Sequence, residues 1–184
     1  MFQQHQVREV WQFREVQRGL TASGTDSFAA ATANNTSTYG AQGANAVAIG
    51  RLCLSSGSQS TAMGHVSVAS GLGSFNLGQN GTASGNYTFV SGIGGKAVEY
   101  GKWSRANGNF GVEGDAQGGL LILRRATTDA TATVLTSPGT AENSTNQVIL
   151  PNNSAFAFTG TVVARQSAAG GTASAAWKVE GLIR

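Results

Sequence analysis

One cysteine, two prolines and an 11% share of charged residues are what this chain of 184 residues has least of. The lone Cys53, between Leu52 and Leu54, excludes an internal disulfide framework and any multi-cysteine metal centre, and it reads as a small packed residue. Scarce charge and proline argue against disorder despite 26 glycines, because disordered chains are usually rich in both. No apolar run is long enough to cross a bilayer as a helix. The opening "MFQQHQVREVWQFREV" lacks the apolar core of a secretory signal, so a cytoplasmically synthesised product is expected. Basic residues give a net charge of +3 but are scattered, with only Arg124 and Arg125 adjacent; no nucleic-acid partner is expected.

Catalytic groups are thin as well. Glu113 and Asp115 are the one close acid pair able to share a strand face, and a solvated turn explains them better than acid–base or cation chemistry. His5 and His65 have no metal-ligand spacing between them. "GLGSFNLG" and "SGIGGK" lack the spacing and the strand-to-helix setting of a phosphate loop. No enzyme activity, metal or cofactor is expected.

What the chain does have is a period. Glycines stand at Gly43, Gly50, Gly57, Gly64, Gly71, Gly78, Gly85 and Gly92, seven residues apart, and Gly94, Gly101 and Gly108 continue the series after a shift of two. A coiled coil is excluded, because each interior glycine costs a helix about 1 kcal/mol relative to alanine. The segments between glycines alternate instead. Two residues before each glycine from Gly50 to Gly92 stand Ala48, Ser55, Ala62, Ala69, Asn76, Ala83 and Val90, and two further back Ala46, Cys53, Ser60, Ser67, Ser74, Gly81 and Thr88. In a strand these share one face, and nearly all are small. The opposite face carries Val47, Leu54, Val68, Phe75 and Phe89.

Short strands joined by glycine corners, with glycine supplying positive φ, predict a solenoid. From Gly50 to Gly85 the residue before the glycine alternates, Ile49, Ser56, Met63, Ser70, Leu77, Ser84, so one coil is fourteen residues with two strands. Each coil then advances by about one strand spacing, ~4.8 Å. The interior must be narrow, and the large apolar face needs cover from other copies.

Runs such as "ANAVAIG" and "STAMG" resemble the head repeats of YadA-like trimeric autotransporter adhesins, over about Gly43 to Gly92 with a lead-in from Thr21. The resemblance implies an all-β, left-handed parallel β-roll, intertwined or packed as a homotrimer. Calcium-binding rolls need regular aspartates, and no acid lies between Asp26 and Glu99.

The flanks differ in texture. Residues 1–20 hold a near-repeat, "VREVWQ" then "FREVQR", whose Val7, Val10, Trp11, Phe13 and Val16 form neither a helical stripe nor a clean alternation. This is a candidate docking arm or helix, or equally a cap on the roll, which itself spans 21–98. A transition over 99–113 leads to a β domain over 114–184, with strands expected at 120–125, 131–136, 147–151, 155–166 and 174–184.

"GKWSRANGNF", "LRRATTDAT", "LPNNSAFAFTGTVVAR" and "SAAWKVEGLIR" resemble the C-terminal chaperone and trimerisation region of bacteriophage tail fibres and spikes. That family domain runs on past the "KVEGLIR" strand. The resemblance therefore implies an incomplete module here, and no self-cleavage residue carries over.

Together these features lead to the expectation of a structural virion protein on the tail or capsid exterior, made in the host cytoplasm. Its partners would be itself as a homotrimer, other virion proteins through the N-terminal segment, and a host-surface glycan or protein whose contact residues are not legible. A capsid decoration or head fibre, and a fragment of a bacterial trimeric adhesin, are the alternatives. Tyr87, Tyr100, Trp103 and Trp177 are candidates for stacking on sugars, with packing between subunits the favoured role.

Overall fold

The computed structural model describes residues 21–30, 38–150, 152, 154–167 and 170–184. Among these there is no helix; the chain is all-β. The proposed docking residues Val7, Val10, Trp11, Phe13 and Val16 lie outside the described residues.

Two kinds of strand alternate along the first half. Strands β1 (Phe28–Ala30), β3 (Val47–Arg51), β5 (Thr61–His65), β7 (Phe75–Gln79), β9 (Phe89–Ile93) and β11 (Trp103–Asn107) stack in parallel. The two-residue strands β2 (Gly40–Ala41), β4 (Leu54–Ser55), β6 (Val68–Ala69), β8 (Thr82–Ala83) and β10 (Lys96–Ala97) stack in parallel as a second sheet. Val47 pairs with Thr61, Thr61 with Phe75 and Phe75 with Phe89, a register of fourteen residues at every step. The result is a parallel β-solenoid of about five turns, with the expected coil length.

The faces fall as the alternation requires. Ala46, Cys53, Ser55, Ser60, Ala62, Ser67, Ala69 and Ala83 are wholly buried, and Ser74, Asn76, Thr88 and Val90 nearly so. Most of their hydroxyls are satisfied locally: Ser60 Oγ donates to Gly57 O at 2.6 Å, Thr88 Oγ1 to Gly85 O at 2.8 Å, Ser67 Oγ to Asn76 O at 3.2 Å, and the Ser55 and Ser60 hydroxyls meet at 2.6 Å; the buried Ser74 hydroxyl is unpaired. A buried hydroxyl costs free energy unless paired, so serine fits this interior best where a backbone carbonyl is within reach, as at Ser60 and Ser67. Asn76, the largest inward polar residue, spends its amide on the carbonyls of Val68 and Gly81. Cys53 lies among the same groups; Sγ donates to the carbonyls of Ile49 and Gly64, both at 3.3 Å, and burial pushes its thiol pKa up.

The eight periodic glycines divide into two sets, and only one supplies the positive φ expected of all. Gly50, Gly64, Gly78 and Gly92 sit inside the long strands with φ of 119°, 121°, 153° and 90°. Gly43, Gly57, Gly71 and Gly85 stand at the bends and are not left-handed. Close stacking is what unites them. A Cβ on Gly57 would lie 2.2 Å from Gly71 O, and one on Gly64 would lie 2.0 Å from Gly78 O. The left-handed corners belong to other residues, Asn45, Gln59, Gly73, Tyr87 and Gly101 on one side and Leu52, Val66, Asn80 and Gly94 on the other.

This explains the apparent shift of two in the glycine series. The coil does not shift, for Lys96 still pairs with Thr82 and Trp103 with Phe89. Glycine changes slot, from close approach to corner. The close-approach slots that follow Gly85 and Gly92 by fourteen hold Glu99 and Ala106, and neither has a further parallel coil stacked on it.

After β11 the chain reverses. Strand β12 (Gln117–Leu120) pairs antiparallel with β11 and closes the long sheet. Of the strands expected at 120–125, 131–136 and 147–151, only the start of the first lies in a strand, and a single bridge joins Arg124 to Thr136. The last two expected strands are present. Strands β13 (Phe156–Arg165) and β14 (Ser174–Ile183) form a separate two-stranded antiparallel ribbon.

Candidate assembly surface and the closed end of the roll

The outward face of the long sheet is built in rows. Phe28, Val47, Thr61, Phe75, Phe89, Trp103 and Leu120 stand in register, one per strand. Phe75 and Phe89 stack with ring centroids 5.4 Å apart, and Phe89 meets Trp103 at 6.0 Å. A neighbouring row runs Ile49, Met63, Leu77, Ser91, Arg105. In-register stacking forces this, since whatever residue type recurs every fourteen positions is piled into a stripe. Leu77 and Trp103 remain 46% and 61% exposed. The narrow interior has no room for them.

Beside these rows Arg51 Nη1 donates to His65 Nε2 at 2.7 Å, one coil apart, so His65 ends a strand in a polar contact and has no metal partners. Among the described residues no three His, Cys, Asp or Glu side chains gather as a metal site. Tyr87 and Tyr100 pack edge to face at 5.5 Å, and Trp177 lies on the ribbon.

The ribbon also has a one-sided pattern. Its pairs Phe156–Ile183, Phe158–Gly181, Gly160–Val179, Val162–Trp177 and Ala164–Ala175 alternate with a mixed face of Ala157–Leu182, Thr159–Glu180, Thr161–Lys178, Val163–Ala176 and Arg165–Ser174. One face is wholly apolar or glycine, yet every residue of β14 is exposed. Two strands alone are marginal in water, so this face calls for a partner.

Two side chains that sequence reasoning missed close the C-terminal end of the roll. Gln117 Oε1 accepts from Lys96 N at 2.7 Å and its Nε2 donates to Lys96 O at 2.9 Å, the pattern a further strand would make on the edge of the short sheet. Ser104 Oγ, buried, donates to the same Oε1. Glu99, 1% exposed, takes Lys102 Nζ at 2.9 Å and Ile149 N at 3.1 Å, which ties the 143–149 segment to the last coil; Tyr100 N adds a bond to Thr145 O at 3.0 Å. The only advance signal for Glu99 is that an acid, the first since Asp26, falls in a glycine slot.

The Glu113–Asp115 pair does not act together. Asp115, exposed, accepts from the backbone N–H groups of Phe110, Gly111 and Val112, and these bonds, Val112 first, hold its carboxyl below the usual range. Burial pushes Glu113 up, against a hydrogen bond from the Thr82 hydroxyl and the charge of Lys96. Asp115 holds the turn between β11 and β12, whereas Glu113 faces Thr82 and Lys96 of the short sheet and keeps Oε1 buried and unpaired. Comparison with known protein families, curated proteins and solved structures finds no match.

Proposed function

We propose that the protein is a structural subunit of a homotrimeric tail fibre or spike of a tailed bacteriophage, working by assembly and host-surface adhesion rather than catalysis. The roll, left-handed in this reading, is the rigid shaft or head. Three copies cover one another's outward apolar rows as far as Phe89, the C-terminal ribbon stabilises the trimer through its apolar face, and residues 1–20 attach to other virion proteins.

The single observation that carries the reading is the in-register outward row from Phe28 to Phe89, large and apolar but for Thr61, outside a core that admits little beyond alanine and serine. Exposed apolar patches of this extent mark interaction surfaces. The sequence resemblances to adhesin head repeats and to phage fibre C-termini supply the virion setting. Light scattering tests the assembly: a trimer is expected, and a stable monomer at micromolar concentration would overturn it. Immunogold labelling of virions tests the setting, with label expected on the tail; label on the capsid would make it a head fibre, and unlabelled virions would sink the virion reading.

A further inference from the structure

The outward rows change character at the C-terminal end of the long sheet. The first row keeps its bulk, Phe89, Trp103 and Leu120, but the second replaces Ile49, Met63 and Leu77 with Ser91, Arg105 and Gly118. Small residues beside large ones leave a shallow hollow of about 310 Å³, lined among others by Phe89, Ser91, Trp103, Arg105, Gly118 and Leu120. The Trp103 indole is mostly exposed, and Arg105 is exposed with no carboxylate partner among the described residues.

An indole face is a flat apolar platform with the breadth of a sugar ring. A guanidinium at its edge offers paired donors that match a carboxylate. Another copy's apolar row is the wrong cover for this corner, since it would strip water from Arg105 without supplying a countercharge. We infer that this hollow is a subsite for a carboxylate-bearing saccharide of the uronic-acid or sialic-acid type, with Trp103 stacking on the ring and Arg105 holding the carboxylate. The inference rests on the adhesive-subunit reading and adds a location and a ligand class to it.

Fluorine NMR of the full chain labelled with fluorotryptophan gives one signal for each of the three tryptophans, assigned with W11F, W103F and W177F. Titration with trigalacturonic acid should move the Trp103 signal at about millimolar concentration, an ordinary strength for so small a contact. Neutral trigalactose should bind roughly tenfold or more weakly, and Arg105→Gln should erase the difference while leaving the other two signals in place. No movement of the Trp103 signal, an acid preference that survives in R105Q, or a response to protein dilution alone would each overturn the inference, the last because a second copy would then be the occupant. Light scattering on the same samples separates the two readings. A trimer indifferent to the acidic sugar sinks this inference alone, whereas a monomer that binds it sinks the trimeric assembly alone.

Discussion

Ala62 in the roll and Trp177 in the ribbon both lie in well-paired strands, but Ala62 is wholly buried and Trp177 is 53% exposed. The roll hides small side chains by closing two sheets on each other every fourteen residues, and leaves the large ones outside. The ribbon closes on nothing. Backbone pairing is equally regular in both, so what separates a β structure with an interior of its own from one with none is where the chain can put its side-chain volume, not its hydrogen bonding. Tight stacking also makes the roll brittle to added atoms where the ribbon is tolerant.

The largest contrast should come from glycine. Gly64→Ala places a methyl 2.0 Å from a backbone carbonyl at φ 121°, whereas Gly160→Ala meets only Val179 Cγ2 at 3.4 Å. The first should cost about 3–5 kcal/mol, combining overpacking with backbone strain, and the second under about 0.5 kcal/mol. Thermal denaturation followed by circular dichroism measures both; equal costs would mean that stacking is looser than described.

Glu99→Ala removes the buried acceptor of Lys102 and Ile149 N, for about 3 kcal/mol. Hydrogen exchange should show residues 143–149 deprotected while β3 to β7 stay protected. Loss of protection throughout would make the roll and its end segment one cooperative unit.

Val66→Gly works in the opposite direction. A β-branched residue at φ 52° is strained, and glycine there should raise stability by about 0.5–1 kcal/mol, seen as a higher Tm. No gain would mean that the Val66 side chain contributes packing equal to its strain.

The smallest effect is electrostatic. Because the Glu113 carboxyl is pushed above its ordinary 4.5 in the fold, the folded state holds the proton more tightly than the unfolded one. This group's contribution to stability is then full below about pH 4.5 and is lost as pH rises through the elevated value. Glu113→Gln should flatten that part of the pH–Tm curve; an unchanged slope would assign it to another group.

Much of the roll was legible because translation repeats everything, including the chemistry. Fourteen-residue alternation in the sequence carries the coil length, inward residues such as Ser60 and Ala69, and outward ones such as Phe75. The glycine role was half legible: sequence shows where glycine recurs, but φ and close approach both demand it, and only geometry separates Gly57 from Gly64. Beyond Leu120 the alternation of "LLILRR", "TATVLT" and "QVILP" signals extended, β-prone chain, and that pattern carries no information about a pairing partner. Gln117 was invisible for a related reason. A side-chain amide that imitates a strand has no periodicity to betray it.

That amide has a consequence for symmetry. Solenoid ends match each other by construction, so copies with both ends bare can add head to tail without limit, a heterologous contact that yields filaments. Blocking one end is enough to stop this, since every such joint needs both. With Gln117 seated on Lys96 and β12 laid across β11, growth along the axis is closed at that end. What remains open to a second copy is the flank, where contacts can return on themselves and an assembly of fixed number can form.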